Sequence, residues 1–210
     1  MTFGSSLAAF NPSGFVTLGV PIIAPFFADV DTRFAGSPVT FGSGTVGGHN
    51  AVGINWIDVP RFCFSSLDTA CLTPRNSFQL LLIDRSDTGA GNFAIEFNYD
   101  QVQWDLGQAS GTAAFVGFSK GTGDPGTFLV FPGSGMSGAL PDSNQSTGLI
   151  HGHENDENSL GSYDFFVENG TLPAPTCLTC AAAVPEPGTL MILGVGLVGL
   201  AGIAWRRHRK

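Results

Sequence analysis

Four aspartates are the residues of this sequence whose type and spacing most suggest chemistry. Two of them stand two residues apart after an apolar run, so on a strand both would lie on one face. The other two lie in a glycine-containing turn. Carboxylate oxygens are the ligands that calcium prefers, so a bound calcium ion is one interpretation. The four candidate ligands are Asp29, Asp31, Asp84 and Asp87.

An arginine stands within two residues of each aspartate pair, Arg33 beside the first and Arg85 beside the second. A shared metal site would need Asp29, Asp31 and Asp84 to converge, for example at a common sheet edge. Carboxylates gathered there would repel each other unless a cation or the arginines compensate their charge. Aspartates in such turns also cap their own backbone. We therefore expect the arginines to pair with the aspartates, and no metal or other cofactor to be bound.

Catalysis would need carboxylates on both sides of a cleft. Glu96 and Asp100 follow the second aspartate pair, and a glycosidase uses two carboxylates, one of them with a raised pKa. The sequence contains no G-x-S-x-G, no H-E-x-x-H and no phosphate-binding glycine loop. We expect a protein that is not an enzyme, with a polysaccharide-active enzyme as the least favoured alternative.

A second group of possible metal ligands lies in the segment HGHENDEN, which begins at His151. We interpret this segment as a solvated acidic loop, because two histidines one residue apart often occur without a metal. Its histidines and carboxylates are His151, His153, Glu154, Asp156 and Glu157.

The four cysteines fall into two close pairs. Cys63 and Cys71 flank a short polar turn that could close as a disulfide-bonded hairpin. Cys177 and Cys180 form a C-x-x-C in a segment rich in proline and alanine, whereas the redox-catalyst form of this motif expects a strand–helix setting. Zinc binding by all four would need closer ligand spacing. We expect two disulfides, formed in an oxidising compartment.

Alternating apolar residues predict that most of the chain forms β-strands. Apolar residues alternate with small or polar ones at Phe93, Ile95, Phe97 and Tyr99. After Tyr99 the apolar residues move from odd to even positions, which predicts a β-bulge at residues 100–101. No stretch before the C-terminal segment has a helical period, so we predict an all-β, sandwich-like fold of antiparallel sheets. Further strands are predicted at residues 52–56, 78–83, 113–118, 127–131 and 163–168.

The charge distribution separates the body of the chain from its last residues. The formal net charge is −8, and it becomes −12 without the four basic residues at the C-terminal end. A body this acidic would repel nucleic acid, which we exclude as a partner. The four basic residues are Arg206, Arg207, Arg209 and Lys210.

A charge-free stretch at residues 188–205 precedes these basic residues and is long enough to cross a bilayer as a single helix. Basic residues that follow a transmembrane helix stay in the cytoplasm, which places the body on the outer side of the inner membrane. Prolines before the helix keep the chain extended, in a form whose backbone an enzyme could grip. The motif before the helix consists of Val184, Pro185, Glu186 and Pro187.

Residues 184–210 resemble the PEP-CTERM sorting signal, because they contain the motif, the apolar helix and the basic cluster in this order. The resemblance implies that an exosortase, a membrane-embedded transpeptidase, recognises the motif and processes the protein during export. It implies a precursor anchored in the inner membrane and a mature form at the cell envelope or outside the cell. Residues 1–21, an N-terminal lead-in segment, contain no recognisable signal peptide. We therefore expect the true start to lie upstream.

Four blocks of sequence in the body carry a second resemblance. They read IIAPFFADVDTR from Ile22, INWIDVP from Ile54, NSFQLLLIDRSDTGAGNFAIEFNYDQVQW from Asn76 and AAFVGFSKG from Ala113. These blocks resemble the nidogen-like (NIDO) domain. Two further blocks, TGLI and FFVENG, extend the resemblance over residues 22–170. Residues 171–183 then form a linker to the sorting signal. The resemblance implies an extracellular adhesion or matrix module without a catalytic role.

Together the two resemblances imply a structural or adhesive protein of the cell envelope or extracellular matrix, delivered by an exosortase. Proteins with this tail accompany exopolysaccharide production, so exopolysaccharide and other biofilm-matrix components are expected partners. The alternative is a calcium-dependent, lectin-like module that binds a sugar. Its site would show exposed aromatic residues, and the candidates Trp56 and Trp104 are expected to be core residues first.

Overall fold

The computed structural model describes residues 1–7, 9–34, 38–154 and 159–172. Within these ranges the regular secondary structure consists of eight β-strands, one short helix and one 3₁₀ turn. The strands are β1 (Ile22–Phe27), β2 (Thr40–Val46), β3 (His49–Val59), β4 (Asn76–Asp84), β5 (Phe93–Val102), β6 (Phe115–Ser119), β7 (Phe128–Val130) and β8 (Ser162–Val167). The helix α1 is Thr69–Leu72 and the 3₁₀ turn is Leu149–His151.

The strands form two antiparallel sheets that face each other. The smaller sheet has the order β1-β6-β7, and the larger has the order β2-β3-β4-β5-β8. The predicted all-β, antiparallel, sandwich-like fold is confirmed. Among the described residues, no helix has the length and apolar character needed to span a bilayer. The predicted transmembrane helix at residues 188–205 lies outside them, as do Cys177, Cys180, the sorting motif and the basic tail.

Strand β5 shows how the sequence determines the core. Ile95, Phe97 and Tyr99 alternate along the strand and are buried on the face toward the smaller sheet. After Tyr99 the register with β4 shifts, and Asp100 is left without a partner in the ladder. The predicted bulge is thereby confirmed. Because the bulge adds one residue to β5, Val102 lies on the same buried face of the strand as Tyr99.

Aromatic side chains fill the space between the sheets. The ring of Phe26 in β1 lies 5.4 Å from that of Phe78 in β4, measured between centroids. Phe118 in β6 lies 5.4 Å from Phe165 in β8, in an edge-to-face arrangement. Such pairs bury large apolar areas and add a favourable ring geometry, so they hold the smaller sheet against β4, β5 and β8.

The larger sheet is wider than the smaller one, and its β2–β3 edge is not covered. Phe41 of β2 pairs with Ile54 of β3, which pairs in turn with Leu80 of β4, so the three side chains share a face. Leu80 is fully buried, Ile54 is half-buried and Phe41 is 84% exposed. The apolar inner face of the sheet therefore continues from the core into solvent.

A two-residue turn, Gly47 and Gly48, joins β2 to β3. Both glycines have positive φ angles, 56° and 86°, as tight hairpin turns require, and glycine adopts these angles without steric cost. Strand β2 was not among the strands predicted from sequence. The Gly-Gly pair ahead of the predicted strand at residues 52–56 was the signal that could have revealed it.

The helix α1 was also not expected from the sequence. It begins after Asp68, whose Oδ1 accepts a hydrogen bond from the backbone N–H of Cys71 at 3.0 Å. This is an N-cap interaction. A single capped turn of four residues is too short to show a helical period.

Candidate functional site

The first aspartate pair lies in the loop after β1, where only 7% of the surface of Asp31 is exposed. Arg33 holds both carboxylate oxygens, with Nε donating to Oδ1 at 2.8 Å and Nη2 donating to Oδ2 at 2.7 Å. The same guanidinium lies 4.9 Å from the ring of Phe34 and 5.0 Å from that of Phe62. The hydrogen bonds from Arg33 lower the pKa of Asp31. The predicted pairing of this arginine with an aspartate is confirmed.

Asp29 lacks an equivalent partner. Its Oδ2 atom is buried and has no hydrogen-bond partner within the described residues. Burial, and after it the charge of Asp31, raises the pKa of Asp29. The side chain packs against the backbone at Gly107, where an added Cβ would lie 2.9 Å from the Cβ of Asp29. Asp29 is therefore a crowded carboxylate that favours its protonated form more than Asp31 does.

In the second pair, Asp84 caps its own turn and Asp87 binds an arginine. The Oδ1 of Asp84 accepts a hydrogen bond from the backbone N–H of Ser86 at 2.9 Å. Arg85 Nε lies 3.1 Å from Oδ1 of Asp87, and His49 Nδ1 lies 3.6 Å from the same oxygen. The hydrogen bond from Arg85 lowers the pKa of Asp87. The predicted arginine pairing is confirmed here too.

The two aspartate pairs lie at opposite ends of β4. Asp31 donates its backbone N–H to Pro60, which follows the β3 residue paired with the start of β4. Asp84 is the last residue of β4. Extended chain of this length spans roughly 25–30 Å, so the convergence that a shared calcium site needs is not found. Within the described ranges, no group of three or more histidines, cysteines and carboxylates is placed to hold a metal ion.

The segment that begins at His151 is less solvated than we expected. His151 belongs to the 3₁₀ turn, and Glu154 is buried. The backbone N–H of Glu154 donates to the carbonyl of Ser162 in β8 at 3.1 Å, and burial raises the pKa of the Glu154 carboxyl. Because this part of the segment is bonded to a strand, the interpretation as a solvated loop is wrong for residues 151–154. Asp156 and Glu157 lie outside the described residues.

The outer face of the larger sheet carries a row of polar side chains. Gln79 Nε2 donates to Oδ1 of Asn55 at 2.7 Å, and Asn98 Nδ2 donates to Oε1 of Gln79 at 3.2 Å. Glu96 lies in the same row, because its Oε1 also accepts a hydrogen bond from Asn98, at 2.7 Å. Asp100, the other carboxylate considered for catalysis, is the exposed residue of the bulge. The row joins β3, β4 and β5 through side-chain amides.

The two tryptophans considered for sugar binding do not form an exposed platform. Trp104 is 2% exposed, and its indole Nε1 donates to the carbonyl of Val59 at 3.1 Å. Trp56 is half-buried and stacks on Phe78, with ring centroids 5.0 Å apart. The expectation that Trp104 is a core residue is confirmed, and Trp56 lies at the margin of the core.

The disulfide between Cys63 and Cys71 is present, with 6.1 Å between the Cα atoms, as predicted. The loop that it closes exposes two large apolar side chains, Phe64 at 72% and Leu67 at 86%. Gln108 braces the loop, since its Oε1 accepts from the backbone N–H of Phe64 at 2.8 Å. Sequence reasoning treated this loop as a polar turn and missed its apolar tip.

Strand β2 is exposed along nearly its whole length. Within the described residues it pairs only with β3 and forms one edge of the larger sheet. Its sequence, TFGSGTV, contains no charged residue and no proline. An edge of this kind offers unpaired backbone N–H and C=O groups to a further strand, because it lacks the charges and prolines that usually block such pairing.

A family model of the nidogen-like domain matches residues 39–153, more than half of the chain. The chain belongs to the nidogen-like domain family. Strands β1 and β8 lie outside the matched residues, yet β1 pairs with β6 and β8 pairs with β5. The two sheets of this nidogen-like protein therefore extend beyond the matched segment on both sides.

The PEP-CTERM protein-sorting motif matches residues 183–210. The nidogen-like protein is thus exported to the cell envelope or the extracellular space and is processed by an exosortase. No curated protein and no solved structure gave a match to the chain.

Proposed function

We propose that this nidogen-like protein is a non-catalytic structural and adhesive component of the extracellular matrix, which works without a cofactor. In this proposal an exosortase releases it from a precursor anchored in the inner membrane. Its partners in the matrix are other copies of itself and, beside them, exopolysaccharide. The observation that carries the proposal is the open edge of the larger sheet at β2.

Several features of β2 favour association with a second copy. Among the described residues, the outer backbone groups of the strand have no pairing partner, and the apolar face beside it includes the exposed side chains of Phe41 and Val52. Addition of a strand to an open edge is a common mode of protein recognition. The body of the chain is strongly acidic, so two copies repel each other over most of their surface. Strand β2 is uncharged, and an antiparallel β2–β2 contact gives a self-complementary interface with twofold symmetry.

A calcium-dependent, lectin-like module remains the second candidate function. It is favoured by one observation, the buried Oδ2 of Asp29 without a partner among the described residues. The lectin hypothesis predicts sugar binding that a chelator abolishes. A glycan array measured with and without a chelator separates the two functions, because a matrix module that needs no cofactor gives the same result in both conditions.

The self-association proposal is tested by placing charge on β2. Phe41 and Ser43 point to the uncovered face and are exposed, so the double variant Phe41→Lys, Ser43→Lys leaves the core intact. Lysines on an edge strand oppose strand pairing. We expect sedimentation of the exported protein to show assemblies for the parent chain and monomers for the variant, with less variant retained in the matrix.

The control is Met136→Lys, a lysine at another exposed apolar residue outside both sheets. It should assemble like the parent chain. Assembly that survives the double lysine variant, or that Met136→Lys reduces to the same extent, would contradict a β2 interface.

A further inference from the structure

An apolar cavity of about 300 Å³ lies between the two sheets, at the end where β1 and β5 begin. Its walls are formed mainly by aliphatic and aromatic side chains from both sheets. Small-molecule sites are typically apolar cavities of this kind, with a few polar groups that orient the ligand, and 300 Å³ is near the lower end of their size range. The principal wall residues are Ile23, Phe93, Ile95, Phe118, Val167 and Leu172.

Among the described residues that line this cavity, Lys120 is the one with a cationic side chain. Lys120 follows the last residue of β6 and contributes to the lining, and its side chain is exposed. Its backbone N–H donates to Thr127, whereas its ammonium group makes no hydrogen bond or ion pair with any described residue.

The other basic side chains of the described ranges all have contacts. Arg33 and Arg85 bind aspartates, and Arg61 and Arg75 donate to backbone carbonyls. In an acidic protein, an ammonium group that is left unpaired beside an apolar cavity is complementary to a ligand with an apolar body and an anionic head.

We infer that this cavity binds a single-chain fatty carboxylate of medium length. The acyl chain lies between the sheets, where it removes apolar surface from water. The carboxylate stays at the mouth of the cavity, where Lys120 donates charge-assisted hydrogen bonds to it. The walls leave space for one chain of limited length, so the cavity selects against two-chain lipids.

Equilibrium dialysis of the exported protein against radiolabelled decanoate, below its micelle-forming concentration, tests the site. We expect saturable binding of one decanoate per chain. Lys120→Glu should weaken binding by about tenfold or more, because it replaces an attractive charge by a repulsive one at the same position. Lys120→Gln should give an intermediate affinity.

The control Arg75→Glu makes the same change in net charge at the opposite end of β5, where the guanidinium of Arg75 donates to the carbonyl of Pro74. It should leave decanoate binding unchanged. Decanol, which has no charge, should bind the parent chain and Lys120→Glu equally, which shows that the cavity is intact. The inference is overturned if decanoate does not saturate at one site, if both lysine variants bind like the parent, or if Arg75→Glu causes the same loss.

Discussion

Asp29 and Asp31 stand two residues apart in one loop, yet the surroundings of their carboxylates differ. Asp31 receives both donors of Arg33, and its pKa is lowered. Asp29 is partly buried with one oxygen unpaired among the described residues, and its pKa is raised. One carboxylate therefore stabilises the folded chain as an anion, while the other is costly to ionise.

We expect different outcomes when each aspartate is replaced by asparagine. Asp31→Asn removes charge-assisted hydrogen bonds and should lower the free energy of unfolding by about 1–2 kcal/mol. Asp29→Asn removes an unfavourable charge and should leave stability within about 0.5 kcal/mol of the parent, or raise it. Urea unfolding at neutral pH measures both.

Adding calcium tests whether these aspartates bind a metal ion instead of Arg33. Because Arg33 already compensates Asp31, adding calcium should not change the melting temperature of the parent chain. A rise of several degrees that disappears in Asp31→Asn would instead support the lectin hypothesis, since a ligand that binds only the folded state raises its stability.

At the scale of single elements, we expect the disulfide between Cys63 and Cys71 to contribute to folding stability. Both cysteines are buried, and beside them Phe64 and Leu67 remain exposed. The double variant Cys63→Ala, Cys71→Ala should lower the free energy of unfolding by about 2–3 kcal/mol, because the unfolded chain regains the freedom that a short disulfide loop removes. Urea unfolding with and without reductant measures the change.

Reductant should lower the stability of the parent chain and leave that of the double alanine variant unchanged. Equal stability of the two proteins without reductant would show that the link contributes nothing to folding.

The strands differ in how well the sequence predicts them, and exposure explains the difference. Strand β5 was predictable with its bulge, because burial on one face imposes alternation on Ile95, Phe97 and Tyr99. Strand β2 is exposed on both faces, and Gly42 and Gly44 carry no side chain, so no alternation marks it. The arginine–aspartate pairs were predictable because they are local. The separation of the two pairs was not, since residue spacing does not say which end of a strand a loop joins.

At the scale of the whole molecule, carboxylates with raised pKa values and carboxylates with lowered pKa values act in opposite directions as pH changes. Burial raises the pKa values of Asp105 and Glu154, and it raises that of Asp29 together with the charge of Asp31. These groups take up protons in the folded chain at a higher pH than in the unfolded chain. Folding stability should therefore rise as pH falls from 7 toward the ordinary carboxyl range near about 4.

Below that range, folding stability should fall as the pH falls further. The pKa values of Asp31 and Asp87 are lowered by their arginines, so their contribution is present above the ordinary carboxyl pKa and is lost as they are protonated. Thermal unfolding between pH 3 and pH 7.5 should thus show a stability maximum on the acidic side of neutrality. Asp105→Asn keeps an acceptor for the N–H of Gly138 and should flatten the rise. A steady fall in stability from pH 7 downward would contradict this account.

With the proposed contact at β2, the larger sheet would carry any tension applied through the C-terminal side of this exported protein. The chain continues from β8 toward the sorting motif, while the proposed contact between copies lies along β2, at the opposite edge. Tension between these two edges crosses four ladders in series, in the direction of their hydrogen bonds. The ladder between β5 and β8 has six residue pairs, fewer than any other in the sheet. Under such tension β8 should separate from β5 first, which lengthens the chain on the C-terminal side while β2 to β5 stay paired with the neighbouring copy.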